Sequence, residues 1–192
     1  MNSVDRRGAA PNILCAGIIV LDEVFLVEQF PQPDGKVNAR GYFSVNGGCA
    51  ANAAVAIARL GGAASLCGPL GGPPGEDANG DRVLAALERE HVDCGNCIRI
   101  AGCASPLSAI FIDARGDRMI TTYRDDRIAS AQPPDPTGLV ASADAVLADN
   151  RFPDFVQPIC AAAQARGLIV VLDADKPTQV GDPLLQMATH VV

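Results

Sequence analysis

The sequence predicts an α/β protein with a largely parallel central sheet. Short apolar segments of strand length alternate with Ala-rich helical segments, which is the pattern of consecutive βαβ units. Hydrophobic residues make up 48% of the 192 residues but aromatic residues only 4%, so the core is predicted to consist of Ala, Val, Leu and Ile. Two hairpin-like pieces interrupt the alternation. The length suits one domain, or one and a fraction, with a sizeable core.

The first elements follow from apolar runs and turn residues. The run Ile13–Val20, ending in Leu21-Asp22, predicts a first strand. Two amphipathic strands are predicted on either side of the turn-rich tip 31–35, over Val24–Val27 and Val37–Phe43. The helix Ala50–Leu60 follows, and Gly61-Gly62 ends it.

The second half continues the alternation. A short buried strand is predicted at Ala63–Cys67, and the Gly/Pro-rich segment 68–75 predicts an irregular loop. Val83, Leu84 and Leu87 are spaced as on one helix face, which predicts a helix over 81–90. A hairpin joins 107–112 to 119–123 through a polar turn. Two further buried strands are predicted at 146–148 and 168–172, with a helix from about 154 to 166 between them.

Charge and composition indicate which kinds of binding partner the protein can have. The formal net charge is -7, which disfavours binding to nucleic acid or an anionic membrane because both require a basic surface. No apolar run approaches the roughly 18 residues that span a bilayer, and the first residues do not read as a signal peptide. We therefore expect a cytoplasmic protein with a small-molecule partner and seven reduced cysteines.

Cys94-Gly95-Asn96-Cys97 has the C-x-x-C spacing of zinc and redox sites. Only Cys103 is close in sequence as a further ligand, whereas a structural zinc site requires four ligands. A redox pair would begin a helix, but this pair precedes the strand-like Ile98-Arg99-Ile100. The motif is interpreted as a loop and strand edge.

The most informative segment begins with Gly47-Gly48 and continues through Cys49 and Asn52 into the predicted helix. A glycine pair before a helix of small residues lets backbone N–H groups approach a bound polar group. The simpler alternative is a turn before a buried helix. The spacing from the glycine pair to Asn52, Ala54, Gly61 and Gly71 resembles the N-terminal signature of the ribokinase/PfkB family of carbohydrate kinases.

The resemblance covers residues 12–192, after a polar lead of residues 1–11. It implies the ribokinase-like fold, which is a three-layer αβα body with a small β-sheet lid that closes over the sugar. The two interrupting pieces, about 23–45 and 105–124, correspond to the lid. In this family the lid often forms a dimer contact, so the resemblance implies a possible homodimer.

The implied activity is transfer of the ATP γ-phosphoryl group to a sugar hydroxyl, with Mg²⁺ bridging the phosphates. Asp22 is the first candidate for binding sugar, because a carboxylate accepts hydrogen bonds from two hydroxyls and the carboxyl end of an α/β strand binds ligands. Asn52 matches the family's sugar-contacting asparagine, and Gly47 and Gly48 match the backbone that faces the sugar. Cys49 departs from the Lys of ribokinases.

Within the family the sequence is most similar to ketohexokinases and sulfofructose kinases. Asp34-Gly35-Lys36-Val37 and Leu147-Ala148-Asp149-Asn150-Arg151 resemble segments of the latter, in which the matching Lys and Arg face a sulfonate. Lys36 and Arg151 are therefore hypothesised to clamp a sulfonate or phosphate, against the alternative of two solvated surface cations. Thr122 departs from that subgroup, which has an Asn there.

The family's second signature, a Gly-Ala-Gly-Asp loop with the catalytic base, does not occur in these 192 residues. By resemblance it lies well beyond His190-Val191-Val192, so the resemblance implies that these residues form the N-terminal, sugar-binding part of such a kinase and contain no catalytic base. We expect them to be inactive alone. The alternatives are a non-catalytic sugar-binding or dimerising module, and an adenosine-type nucleoside kinase, which the scarcity of aromatic residues disfavours.

Overall fold

The computed structural model describes residues 10–192, so the predicted polar lead lies outside the described residues except for Ala10 and Pro11, which are exposed. Its twelve strands are β1 Asn12–Ala16, β2 Val20–Leu26, β3 Gly41–Gly47, β4 Ala63–Cys67, β5 Pro69–Gly71, β6 Val92–Asp93, β7 Ile98–Ile100, β8 Leu107–Ile112, β9 Arg118–Tyr123, β10 Ala145–Asp149, β11 Ile169–Asp173 and β12 His190–Val191. The α-helices are α1 Cys49–Arg59, α2 Ala78–Arg89, α3 Pro136–Leu139, α4 Pro153–Ala165 and α5 Pro183–Met187, and a 3-10 helix spans Asp126–Ser130.

The central sheet has six parallel strands in the order β12-β11-β10-β1-β4-β6. Its two faces carry separate cores. One contains Leu14 and packs against Phe155 and Ile159 of α4, and the other contains Cys15 and packs against α1 and α2. Neighbouring residues of β1 point to opposite faces, and both are fully buried. The predicted α/β fold with a parallel central sheet is thus confirmed.

A second, smaller sheet has the order β3-β2-β8-β9. Strands β2 and β8 are parallel, while both outer pairs are antiparallel. The predicted hairpin therefore contributes two of its four strands. Strands β5 and β7 form a separate two-stranded parallel sheet.

The predicted first strand is wrong in its extent, because it divides between the two sheets. β1 ends at Ala16 and β2 begins at Val20. Between them the Gly17 N–H donates to the Cys67 carbonyl (3.0 Å), and a Cβ on Gly17 would overlap the Asp149 carboxylate. The chain therefore turns away from the central sheet here, and Asp22 lies within the small sheet rather than at the end of a central strand.

Three other elements also differ from the prediction. The strand expected at 37–43 lies at Gly41–Gly47, because its pairing with β2 runs from Leu26↔Gly41 to Val20↔Gly47. The segment 68–75, expected to be irregular, contains β5. The second helix begins at Ala78 because the Asp77 side chain caps it, accepting a hydrogen bond from the Gly80 N–H (3.1 Å).

Candidate ligand site between the two sheets

A cavity of about 490 Å³ lies between the small sheet, the start of α1 and the loops after β10 and β11. Parallel α/β sheets bind ligands at the carboxyl ends of their strands, and the cavity is at that end of β10 and β11. Its apolar lining includes Ile18, Val20, Ile110 and Ile120. The polar and charged residues that line it are Asp22, Asn52, Ser108, Thr122, Arg124, Asp126, Arg151 and Lys176.

Three polar side chains form a row across the small sheet. Asp22 of β2 is opposite Ser108 of β8, and Ser108 is opposite Thr122 of β9. The Ser108 and Thr122 hydroxyls are 3.2 Å apart. Burial raises the pKa of the Asp22 carboxyl, and the hydrogen bond from Ser108 opposes that shift. The row presents hydrogen-bonding groups to a hydroxyl-rich ligand.

Gly47 and Gly48 bring backbone close to this row. A Cβ on Gly47 would overlap the Asp22 carboxylate, and a Cβ on Gly48 would overlap the Ile18 carbonyl. Gly48 also has a φ of 98°, which disfavours other residues. It starts α1, and its carbonyl accepts a hydrogen bond from the Asn52 N–H (2.8 Å). Asn52 is therefore one turn into the helix, with its exposed side chain at the cavity.

Cys49 also lines the cavity. Burial and then the negative charge of Asp149 raise the pKa of the Cys49 thiol to about 12. The thiol is therefore protonated at neutral pH and contributes no charge to ligand binding.

The fully buried Asp149 joins three parts of the site. Its carboxylate accepts hydrogen bonds from the backbone N–H groups of Ile18 (2.8 Å), Ala50 (3.1 Å) and Arg151 (3.0 Å). Burial raises the pKa of this carboxyl to about 6, although the three hydrogen bonds oppose the shift. Asp149 thus fixes the end of β1, the start of α1 and the loop after β10 relative to one another.

Asn150 connects the loops after β10 and β11. Its amide nitrogen donates to the Lys176 carbonyl (2.6 Å) and the Thr178 hydroxyl (2.8 Å), while its oxygen accepts from the Lys176 N–H (3.0 Å). Arg151 forms an ion pair with Asp175. The two cations Arg151 and Lys176 are thereby held on the same side of the cavity.

The structure brings four of the six predicted site residues to the cavity, namely Asp22, Gly48, Asn52 and Arg151. Gly47 is buried beneath the Asp22 carboxylate. Lys36 is exposed on the segment between β2 and β3 and does not line the cavity.

Sequence reasoning did not identify Ser108, Arg124, Asp149 and Lys176 as site residues. Ser108 could have been identified from the predicted hairpin, because every second residue of a strand points to the same face of the sheet and the strand pairing then fixes its neighbours on that face. The position of Asp149 at the end of a buried strand was also visible. The sequence did not indicate that the Asp149 carboxylate would accept hydrogen bonds from backbone N–H groups of distant segments.

The cysteine pair 94–97 lies in a turn, as predicted, with the Cys97 N–H donating to the Cys94 carbonyl (2.9 Å). β7 starts at the next residue. Within residues 10–192 there is no cluster of three His, Cys, Asp or Glu side chains suited to a metal ion. Across the same residues, every helix is too short or too polar to cross a bilayer.

The fold and cavity define an α/β protein with a polar ligand site between a parallel sheet and a smaller sheet. Residues 10–191 match the pfkB family of carbohydrate kinases, and the chain belongs to that family. A rice (Oryza sativa subsp. japonica) protein named fructokinase-1 is 38% identical over 88 residues, which are 45% of this chain and 26% of the relative. An ATP-dependent ribose-1-phosphate kinase from Halopiger xanaduensis is 27% identical over 172 residues, which are 88% of this chain and 55% of the relative.

Solved structures show the same fold. A protein from Agrobacterium tumefaciens with the provisional name ribokinase is 34% identical, with a TM-score of 0.87 over 95% of this chain and 59% of that one. An Arabidopsis thaliana ribokinase complexed with ribose and ATP is 21% identical, with a TM-score of 0.78 over 95% and 60%. The chain therefore spans little more than half the length of these relatives, and only 26% of the rice protein.

Proposed function

We propose that these residues form the sugar-binding part of an ATP-dependent carbohydrate kinase. The observation that carries the proposal is the row Asp22, Ser108 and Thr122, which lines one cavity of about 490 Å³ together with Asn52 and Gly48. Asp22 accepts hydrogen bonds from sugar hydroxyls, and Asn52 both donates and accepts. Gly47 allows the Asp22 carboxylate to occupy its position. Together they orient one hydroxyl for phosphoryl transfer.

Support for sugar and ATP as substrates comes from named relatives. The Arabidopsis structure contains ribose and ATP, and relatives of this chain include fructokinases, a ribokinase and a ribose-1-phosphate kinase. The described residues offer no three-ligand metal cluster. Mg²⁺ is proposed to arrive on the nucleotide phosphates because that is its usual mode of binding in kinases. When bound, it would neutralise phosphate charge.

The catalytic base is proposed to belong to a Gly-Ala-Gly-Asp segment outside these 192 residues, because that segment does not occur in them. Sugar-dependent ADP formation by the 192 residues alone is accordingly expected to be undetectable. Measurable turnover would contradict this part of the proposal. The closer likeness to ketohexokinases and sulfofructose kinases stays a prediction, as does a role of Lys36 in binding substrate.

Two other proposals made from the sequence use the same cavity. A non-catalytic sugar-binding module would keep Asp22 and Asn52 and need no base. A nucleoside kinase is named among both the curated relatives and the solved structures. However, none of the aromatic side chains within residues 10–192 lines the cavity, so these residues offer a nucleobase no ring to stack on.

A homodimer through the small sheet is proposed as the assembly. Phe43 and Val45 of β3 are 44% and 41% exposed, and exposed apolar side chains on an edge strand favour contact with another protein. Light scattering of the purified chain measures its mass. A Phe43→Ser variant is expected to shift it towards the monomer.

The sugar site is tested by isothermal titration of fructose and ribose into the chain. Asp22→Asn is expected to weaken binding of the preferred sugar by about tenfold or more, since it removes a charged acceptor. Asp34→Asn is the matched control, because Asp34 is exposed in a turn away from the cavity. Equal binding by wild type and Asp22→Asn would reject the assignment of Asp22.

A further inference from the structure

We infer that Arg124, Arg151 and Lys176 form an oxyanion subsite in the cavity, so that the sugar substrate carries an anionic group such as a phosphate, sulfonate or carboxylate. The inference rests on the proposed function, because it assigns the substrate class of that same cavity. It does not require Lys36, the exposed cation that the sequence suggested.

The three cations come from separate segments that converge on one cavity. Arg124 follows β9, Arg151 follows β10 and Lys176 follows β11, and all three line the cavity. Among residues 10–192, the acidic residues in that lining are Asp22 and Asp126, and Asp175 forms an ion pair with Arg151. A chain with a net charge of -7 and two lysines thus places one lysine and two of its arginines around a single cavity.

Arg124 is held in place by an aromatic ring and a backbone carbonyl. Its guanidinium lies 5.3 Å from the ring centroid of the buried Phe152, and Nη1 donates to the Arg151 carbonyl (3.4 Å). Within residues 10–192 it forms no ion pair with a carboxylate. The remaining N–H groups of the guanidinium can therefore donate to a planar or tetrahedral oxyanion.

Lys176 is positioned through its backbone, which Asn150 holds by two hydrogen bonds. In the part of the chain that the structure describes, its ammonium group makes no hydrogen bond or ion pair. Burial lowers the pKa of Lys176, the positive charges of Arg124 and Arg151 lower it further, and the negative charges of Asp175 and Asp149 oppose the shift without cancelling it. The three charges are thus close enough to repel one another, and an oxyanion among them would relieve that repulsion.

Two ligands could supply the oxyanion, namely the sugar itself or the phosphates of the nucleotide. Calorimetric titration of fructose, fructose 6-phosphate, inorganic phosphate and ATP into the 192-residue chain distinguishes them. The wild-type chain is expected to bind fructose 6-phosphate about tenfold or more tightly than fructose. This preference is expected to decrease with increasing salt.

Lys176→Met and Arg124→Gln are each expected to weaken binding of fructose 6-phosphate by about tenfold, and so to remove most of its preference over fructose. Lys176→Arg is expected to retain it, because it keeps the charge. Arg166→Gln is the matched control, since Arg166 is exposed at the end of α4, away from the cavity.

The outcomes separate the two proposals. Equal affinity of the wild-type chain for fructose and fructose 6-phosphate would overturn the inference and leave the sugar site standing. If Lys176→Met weakens ATP but not fructose 6-phosphate, the oxyanion belongs to the nucleotide and the assigned substrate class is wrong. Binding of neither sugar would instead reject the proposed function.

Discussion

The two sheets of this molecule differ in how they are buried and in what they contribute. The central sheet is parallel and covered on both faces, and Leu14, Val146 and Leu172 are fully buried within it. The small sheet is largely open, and every residue of β9 is exposed. Since free energy of folding comes mainly from buried apolar area, stability is concentrated in the central sheet. The small sheet contributes the polar row that faces the cavity.

The largest effect that tests this comparison is expected from Phe155→Ala. Phe155 is fully buried between α4 and the central sheet, and truncating such a side chain costs about 3–5 kcal/mol. Urea unfolding followed by circular dichroism measures the loss. A cost below about 1 kcal/mol would show that stability is not concentrated around the central sheet.

Asp149 gives a pH dependence to the body of the molecule. Its pKa is raised to about 6 in the folded chain, against about 3.9 when unfolded. The folded state therefore binds the proton more tightly, and the contribution of this group is present below pH 4 and lost as the pH rises to 6. The expected decrease in the free energy of unfolding over this range is on the order of 3 kcal/mol.

The Asp149→Asn variant isolates this contribution. Asparagine does not titrate, so the variant is expected to lack the slope between pH 4 and 6, although it is less stable at every pH because it loses acceptors for buried N–H groups. Urea unfolding at pH 4, 5 and 6 compares the two chains. Parallel curves would mean that Asp149 titrates alike in the folded and unfolded states.

Gly47→Ala is expected to affect binding more than stability. The added Cβ would displace the Asp22 carboxylate, which can rotate away because Asp22 is only half-buried. We expect sugar affinity to fall by about tenfold, while the free energy of unfolding changes by roughly 1 kcal/mol or less. Titration and urea unfolding of the same preparation measure both. Wild-type sugar affinity in this variant would show that the site does not depend on Gly47.

The smallest effect is expected on the exposed face of the small sheet. Met119 is 39% exposed and outside the cavity, so Met119→Ser is expected to change the free energy of unfolding by less than about 0.5 kcal/mol. Sugar binding should stay at the wild-type value. A cost comparable to that of Phe155→Ala would remove the contrast between the two sheets.

The same contrast explains how far the sequence predicts the structure. Elements of the body were predicted closely, because periodic apolar residues determine them: the helix expected at 50–60 is α1, and the strand at 63–67 is β4. In the small sheet the hairpin was predicted almost to the residue, as β8 and β9, whereas β2 and β3 were predicted less well. The apolar run 13–20 continues through the point where the chain passes from one sheet to the other. Gly17 is required there because the Asp149 carboxylate lies against it, and Ile18 and Ile19 pack into the two cores.

The site shows a similar division. Asp22, Gly48 and Asn52 could be identified because they lie near one another in sequence around a recognisable motif. Arg124 and Lys176 could not, since convergence of separate loops depends on strand order and on hydrogen bonds such as those of Asn150. Lys36 was predicted from its local sequence alone, and the fold places it outside the cavity lining.

The hydrogen bonds of Asp149 also constrain the order in which the molecule can be made. The bond to Ile18 connects residues 131 apart in sequence, and the bond to Ala50 connects residues 99 apart. Contacts of such separation form late, because a long loop must be closed first. A growing chain that has not reached residue 149 lacks the carboxylate that holds these segments together, and Arg151 and Lys176 come later still. The described lining of the cavity is therefore present only when synthesis has passed Lys176 in the loop after β11.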